Sequence, residues 1–227
     1  MKHALRRIAV VVCILLCSCT LAETVDSLSG SISSMGGNTR YSFPQFAVQN
    51  EADEAINQHY ALQAEMLQTG ESRFVDCEEI AYEIIHFSDR YVSVLFTQVY
   101  SGGNGSREEI AADTFARDGV YAGQRITLSR MLGMEETNDG QQSMAAMLAY
   151  DLIWDLVSRE AAKADGDYPE GIAKEDVLRA INPETDFFLD EEGNIVFFVQ
   201  SGELASEIAG ILRFPFAPAE LLSSAKW

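Results

Sequence analysis

The sequence predicts an α+β fold: antiparallel β-sheet hairpins packed against one long helix and several short ones. Three observations carry this. Between Asn182 and Phe216, two apolar aromatic runs, Phe187–Leu189 and Ile195–Val199, flank the polar turn Asp190-Glu191-Glu192-Gly193-Asn194. Apolar runs around a short Gly-containing loop signal a hairpin. Earlier, Glu79, Ala81, Glu83 and Ile85 alternate with Ile80, Tyr82, Ile84 and His86, then Ser88-Asp89-Arg90 turns the chain into Tyr91–Tyr100. Period two with a tight return predicts a second antiparallel hairpin. Third, Met144, Leu148, Leu152 and Leu156 recur every four residues within 141–163, joined by Met147, Ile153 and Val157. That wide apolar stripe predicts the longest helix, packed on a sheet or mostly buried.

The other elements follow in chain order. Tyr41–Phe46 reads as an edge strand, since Pro44 is tolerated there. Asn50 caps a helix from Glu51, with Asp53 three residues on, and Gly70 stops it. Ser101–Ser106 is too glycine-rich for a strand and reads as a loop. It lacks the Gly-Lys-Ser/Thr ending of a phosphate loop. Glu108–Phe115 resumes as a strand, and Ile126–Leu132 runs from strand into a short helix. Glu170–Ile181 forms another helix before Pro183, and Ile208–Phe216 is the third strand of the last sheet. Pro218–Ser224 makes a final helical turn.

The first 22 residues differ in kind. Lys2, His3, Arg6 and Arg7 precede the apolar run Ile8–Leu16 and a small, polar end at Cys17–Ala22. Charge, length and order are those of a signal peptide, and the apolar run is too short to span a bilayer. The mature chain is therefore expected to be exported, and two modes of processing stay open. Cleavage after Ala22 would release a chain starting at Glu23. Alternatively, Leu16-Cys17-Ser18-Cys19 resembles a lipoprotein box in which Cys19 is lipidated, anchoring the protein to the cell envelope. In 23–38, eight of sixteen residues are Ser or Gly, which predicts a flexible tether and favours the lipid anchor. The expected organisation is signal peptide 1–22, tether 23–38, an N-terminal α+β portion 39–100 and a C-terminal α+β portion 101–227.

Of four cysteines, Cys13, Cys17 and Cys19 lie in the leader. Cys77 alone can form no internal disulfide or cysteine zinc site, and reads as a small core residue. The formal charge is −19. Without Lys2, Arg6 and Arg7, 13 basic residues remain against 35 acidic ones, a charge of −22. Nucleic acid and anionic membrane surfaces are disfavoured as partners, and a basic protein is attracted. The membrane enters only through the possible anchor. His59 and His86 have no neighbouring nucleophile or metal ligands and read as surface or half-buried side chains. The acid pairs Glu78/Glu79, Asp151/Asp155, Glu191/Glu192 and Glu203/Glu207 read as solvated faces in so acidic a chain. No catalytic residue, metal site or cofactor is expected.

Taken together, the motifs resemble one family, the exported domain shared by RsiV-type lysozyme-sensing anti-sigma factors and PdaC-type peptidoglycan deacetylases. Phe43-Pro44-Gln45 is similar to the family's Tyr-Pro-Gln, and Ile56-Asn57 to the Ile-Asn of the helix after it. Tyr82-Glu83-Ile84 through Gly102-Gly103 resembles the central hairpin and its glycine loop. Gly123, Ile126-Thr127-Leu128 and Leu132 resemble the Gly-Lys-x-Leu-Thr-Leu-x-x-Leu segment. Asp186–Leu189, Gly193, Ile195–Val199, Glu203-Leu204-Ala205 and Gly210 resemble the last strands and the Tyr-Glu-Ile-Ala-Pro-Tyr-Ala-x-Gly that follows. The chain departs from this pattern with Gly202, Ser206 and Glu207 in place of Tyr, Pro and Tyr, and with Gly105 where the family often has His.

The resemblance implies a non-catalytic, sensor-like envelope module that binds a basic protein such as lysozyme. It places ligand contacts around the two loops, at Gly102, Gly103 and Asn104 and at Gly202, Glu203 and Glu207. No segment resembling a sigma-factor-binding region or a deacetylase domain accompanies these motifs, so neither activity is expected. Two other readings remain: a carboxylate-dependent hydrolase of envelope glycans, and a purely structural envelope lipoprotein. A cleft beside Gly102–Ser106 and Gly202–Glu207 separates the first two readings from the last.

Overall fold

The structure, a computed structural model, describes residues 24–34, 37–74, 76–102, 105–134, 142–163 and 167–224. The expected leader 1–22 with the candidate lipidation residue Cys19, and Gly103 and Asn104, lie outside these residues. Two sheets carry the fold. The first runs in the order β1 (Thr24–Ser34), β2 (Gly37–Phe46), β3 (Glu79–Phe87), β4 (Tyr91–Gly102), β5 (Gly105–Ala116). The second is β6 (Phe187–Leu189), β7 (Ile195–Val199), β8 (Leu212–Phe216). Every strand pair is antiparallel except β2 with β3, which pair in parallel at Arg40–Glu79 and Tyr41–Ile80. The α+β class is as the hairpin patterns predict.

Apolar periodicity builds four layers. Helix α1 (Glu51–Thr69) buries Ile56, Tyr60, Ala64 and Leu67 on one face of the first sheet, against Phe43, Val92, Val94, Phe96 and Phe115. The opposite face presents Leu95, Ile110 and Ala112 to Phe188, Val196 and Phe198 of the second sheet. The far side of that sheet, with Phe187, Leu189, Ile195, Phe197 and Phe214, is covered by α3 (Met144–Ala161) and by Val177 of α4 (Lys174–Ala180) and Leu221 of α5 (Pro218–Ser224). Because both faces of β7 are covered, all five of its residues are buried. No helix among the described residues is long and apolar enough to cross a membrane.

The structure departs from the sequence reading in several places. The tether expected over 23–38 gives way to a hairpin, in which Asp26–Ser34 pairs residue by residue with Gly37–Gln45 and the register shifts between Asp26 and Thr24. Serine hydroxyls serve cross-strand bonds there, as between Ser29 and Ser42, and Leu28 and Ile32 lie against the core under α1. Strand β2 is consequently not an edge, and Pro44 sits beyond the short parallel pairing with β3. The glycine loop is mostly strand: β4 runs to Gly102 and β5 starts at Gly105, so the boundary placed at 100/101 falls inside β4. Among the described residues two helices are long where the fold reading has one, α1 with 19 residues and α3 with 18.

Three polar junctions hold the layers in register. Asn50 caps α1 by accepting from Asp53 N, while Asp53 Oδ2 accepts from Gln49 N. Asp53 Oδ1 also receives Arg117 Nε and Nη2 at 3.1 and 2.9 Å, and Arg117 Nη1 donates to Ser88 O at 2.8 Å. Arg117 lies over the Phe87 ring, 4.1 Å from its centre. This buried ion pair joins α1, the β3–β4 turn and the end of β5. Nearby, Gly123 has φ +78, and a Cβ there would sit 2.6 Å from Ala55 Cβ. Only glycine lets this loop close on α1. Finally, Glu184 accepts from Ser129 N and Oγ and from Ser143 Oγ, so one carboxylate sits at the starts of α2 (Leu128–Leu132) and α3.

Cutting Arg117 back to Ala leaves Asp53 buried and unpaired. The expected cost is about 3–5 kcal/mol, read as a lowered urea midpoint. A loss under about 1 kcal/mol would show that the pair does not hold these elements together.

Candidate functional site

Strand β5 is the outer strand of the first sheet, so its outward N–H and C=O groups need partners. At one end, Gln200, just after β7, acts as a surrogate strand. Its Nε2 donates to Ile110 O at 2.7 Å and its Oε1 accepts from Ile110 N at 3.1 Å. At the other end, Ile126 N donates to Thr114 O at 2.8 Å and Arg125 bridges to Phe115. Between these clamps lies Ala112. Residues alternate in direction along a strand, so its N–H and C=O point the same way as those of Ile110 and Thr114. They have no partner among the described residues. Ala112 is 3% exposed and stands in the wall of a cavity of about 530 Å³.

The cavity has unlike ends. Toward Thr114 stand Arg73 and Arg125. Both pair with Asp113, whose side chain is wholly buried, with Arg73 Nη2 at 2.5 Å from Oδ2 and Arg125 Nε at 2.9 Å from Oδ1. Two guanidinium groups share one carboxylate, so this end carries surplus positive charge. Beneath it, His59 stacks edge-on to Phe115 and is held below its ordinary pKa by burial, against the opposing pull of Asp113. The Tyr60 hydroxyl is buried beside this Asp113 group. Burial first and Asp113 second raise its pKa well above the usual phenol value.

Toward Ile110 stands Glu203, and Asp186 lies within electrostatic reach of both Glu203 and Arg125. Glu203 turns in beside Gln200, its backbone N–H donating to Gln200 O. Asp186, at the start of β6, accepts from Asn182 N at 2.7 Å and from Thr185 Oγ1 at 3.0 Å. Burial raises the pKa of both carboxyls, most simply at Asp186, where hydrogen bonds and Arg125 only partly oppose it. Tyr150 of α3 donates to Ile181 O at 3.0 Å and closes the cavity behind them.

Of the loop residues implied by resemblance that the structure describes, Gly102, Gly202, Glu203 and Glu207, Glu203 alone lines this cavity. Gly202 and Glu207 form the adjoining turn, in which Ser201 Oγ donates to Glu207 O and a Cβ on Gly202 would lie 3.2 Å from Glu207 Cγ. Gly102 ends β4 opposite Gly105, away from the cavity lining. His86 is spent on architecture: Nδ1 bonds Asp190 O and Nε2 bonds Ser88 Oγ, fixing the β6–β7 turn against β3. Cys77 is buried, its thiol donating to Phe74 O, and burial pushes its pKa up to about 11. Asp151 and Asp155 make exposed ion pairs with Lys174 and Arg159. Sequence reasoning missed Arg73, Arg125, Asp186 and Gln200. The one available signal was that Asp186 is a charged residue leading directly into a fully apolar strand.

A raised carboxyl pKa has a definite sign for stability. The folded state holds the proton more tightly, so the contribution is fully present below the unfolded carboxylate pKa. It is lost as pH rises through the folded value. Replacing Asp186 with Asn removes this term, and the pH–stability curve of the variant should lose part of its decline over that interval. Denaturation midpoints across pH 3–7 read it directly, and an unchanged slope would count against burial as the dominant influence on Asp186.

No family model matches the chain, and no curated protein matches it. Among solved structures, it is similar to the crystal structure of a DUF3298 family member from Bacteroides fragilis, at 10% sequence identity and a TM-score of 0.48. The similarity covers 87% of this chain and 90% of that one. At that score the likeness carries no argument about function.

Proposed function

We propose that this chain is a non-catalytic binding module of the cell envelope, exported by its leader and held there through Cys19 if that residue is lipidated. The observation that carries the binding role is the cavity at the open stretch of β5. Polar side chains of both signs converge there from the segments that precede β3 and β6 and follow β5 and β7, around an unpaired backbone site. A purely structural protein has no use for such an opening, since an uncapped sheet edge is a liability that folds ordinarily cover. The resemblance to lysozyme-sensing domains and the formal charge of −22 left without Lys2, Arg6 and Arg7 point to a basic protein, lysozyme among them, as the macromolecular partner.

One observation favours a second reading. Glu203 and Asp186 both face the cavity and both have raised pKa values, as a general acid of a glycan hydrolase would. Glu203→Gln separates the two. Loss of any glycan cleavage with retained protein binding supports the hydrolase, and unchanged cleavage removes Glu203 from it.

The partner is tested by titrating the mature chain with a c-type lysozyme. Binding is expected at about 0.01 M salt, where the screening length is about 30 Å, and should weaken steeply toward 1 M, where it is about 3 Å. No binding at the low-salt end would remove lysozyme as the partner.

A further inference from the structure

Strand β5 offers, at Ala112, one N–H donor and one C=O acceptor side by side in the wall of a cavity. An extended peptide answers both by adding a parallel strand: the C=O of one guest residue accepts from Ala112 N–H, and the N–H two residues further on donates to Ala112 C=O. Gln200 shows that this edge takes amide partners, since its carboxamide accepts from Ile110 N and donates to Ile110 O two residues away. The clamps bound the length of any guest. Ile110 to Thr114 spans about 13 Å at roughly 3.3 Å per residue, room for about three extended residues.

Charge fixes the direction. Glu203 stands at the Ile110 end, and Arg73 and Arg125 share the single carboxylate of Asp113 at the Thr114 end. An ammonium group is favoured at the first and a carboxylate at the second, where guanidinium can bind it bidentately. We propose that the cavity binds a short peptide with both termini free. It lies parallel to β5, pairs with the backbone of Ala112, and directs its N-terminus to Glu203 and its C-terminus to Arg125 and Arg73. This gives a ligand class to the cavity on which the binding role above rests. It does not depend on the basic protein partner.

The test uses tri-L-alanine, its N-acetyl form and its C-terminal amide, titrated into the mature chain by calorimetry. Saturable binding of the free tripeptide, with each blocked form weaker by about tenfold or more, is expected. Ala112→Pro removes the outward N–H without touching the bonds to β4, which run through Ala111 and Asp113, and should abolish binding. Should that variant fail to fold, Glu203→Gln serves: it should erase the preference for a free over an acetylated N-terminus.

Several outcomes overturn the proposal. They are no saturable binding of tri-L-alanine, equal binding of the acetylated peptide (which would instead mark a protein C-terminus as guest), or unchanged binding by folded Ala112→Pro. Lysozyme titrated into the same sample keeps the two readings apart. Lysozyme binding without tripeptide binding removes the peptide site and leaves the partner. The converse removes lysozyme and leaves the peptide site.

Discussion

The architecture depends on one constraint: β4 and β5 are covered on both faces. Val92, Val94 and Phe96 face α1, while Leu95 and its β5 neighbours Ile110 and Ala112 face the second sheet. A polar side chain between two sheets must find partners inside the protein. Ser93 does so completely, sharing a hydrogen bond with Thr114 Oγ1 at 2.7 Å and accepting from Leu189 N at 3.0 Å. That second bond sets β6 on β4 and so positions the small sheet over the large one. The cavity follows from this placement. The small sheet covers the face of β5 but reaches its outer edge only through Gln200, leaving Ala112 open between two clamps.

The parts of this fold that bury apolar stripes were legible in the sequence. Period two at 79–87 and 91–100, period four at 144–156, and the aromatic runs at 187–189 and 195–199 each mark an element that exists because a face must leave water. The segment 24–34 was not legible. Its serines and glycine carry no apolar signal beyond Leu28 and Ile32, and its strand character comes from pairing with β2, a tertiary effect. Gly102 and Gly105 were misread for a related reason: composition argued loop, whereas the register of β4 and β5 extends pairing to both.

The site was harder still. Glu203 came from resemblance to a motif, but Arg73, Arg125, Asp186 and Gln200 come from four separate places in the chain and meet only in three dimensions. In a chain with far more acids than bases, Arg73 and Arg125 could have balanced any carboxylate. What selects Asp113 is its burial on the α1 face of β5, a position the alternation of the strand implies but composition hides. The unpaired backbone of Ala112 has no side-chain signature whatever.

The hairpin that replaces the tether also sets a distance. Strand β1 starts at Thr24, five residues after Cys19. Five extended residues reach at most about 18 Å. A lipid on Cys19 would therefore keep the first sheet within a short leash of the bilayer, close enough for headgroups to screen one flank. Anything that binds would have to approach from the side facing away from the lipid.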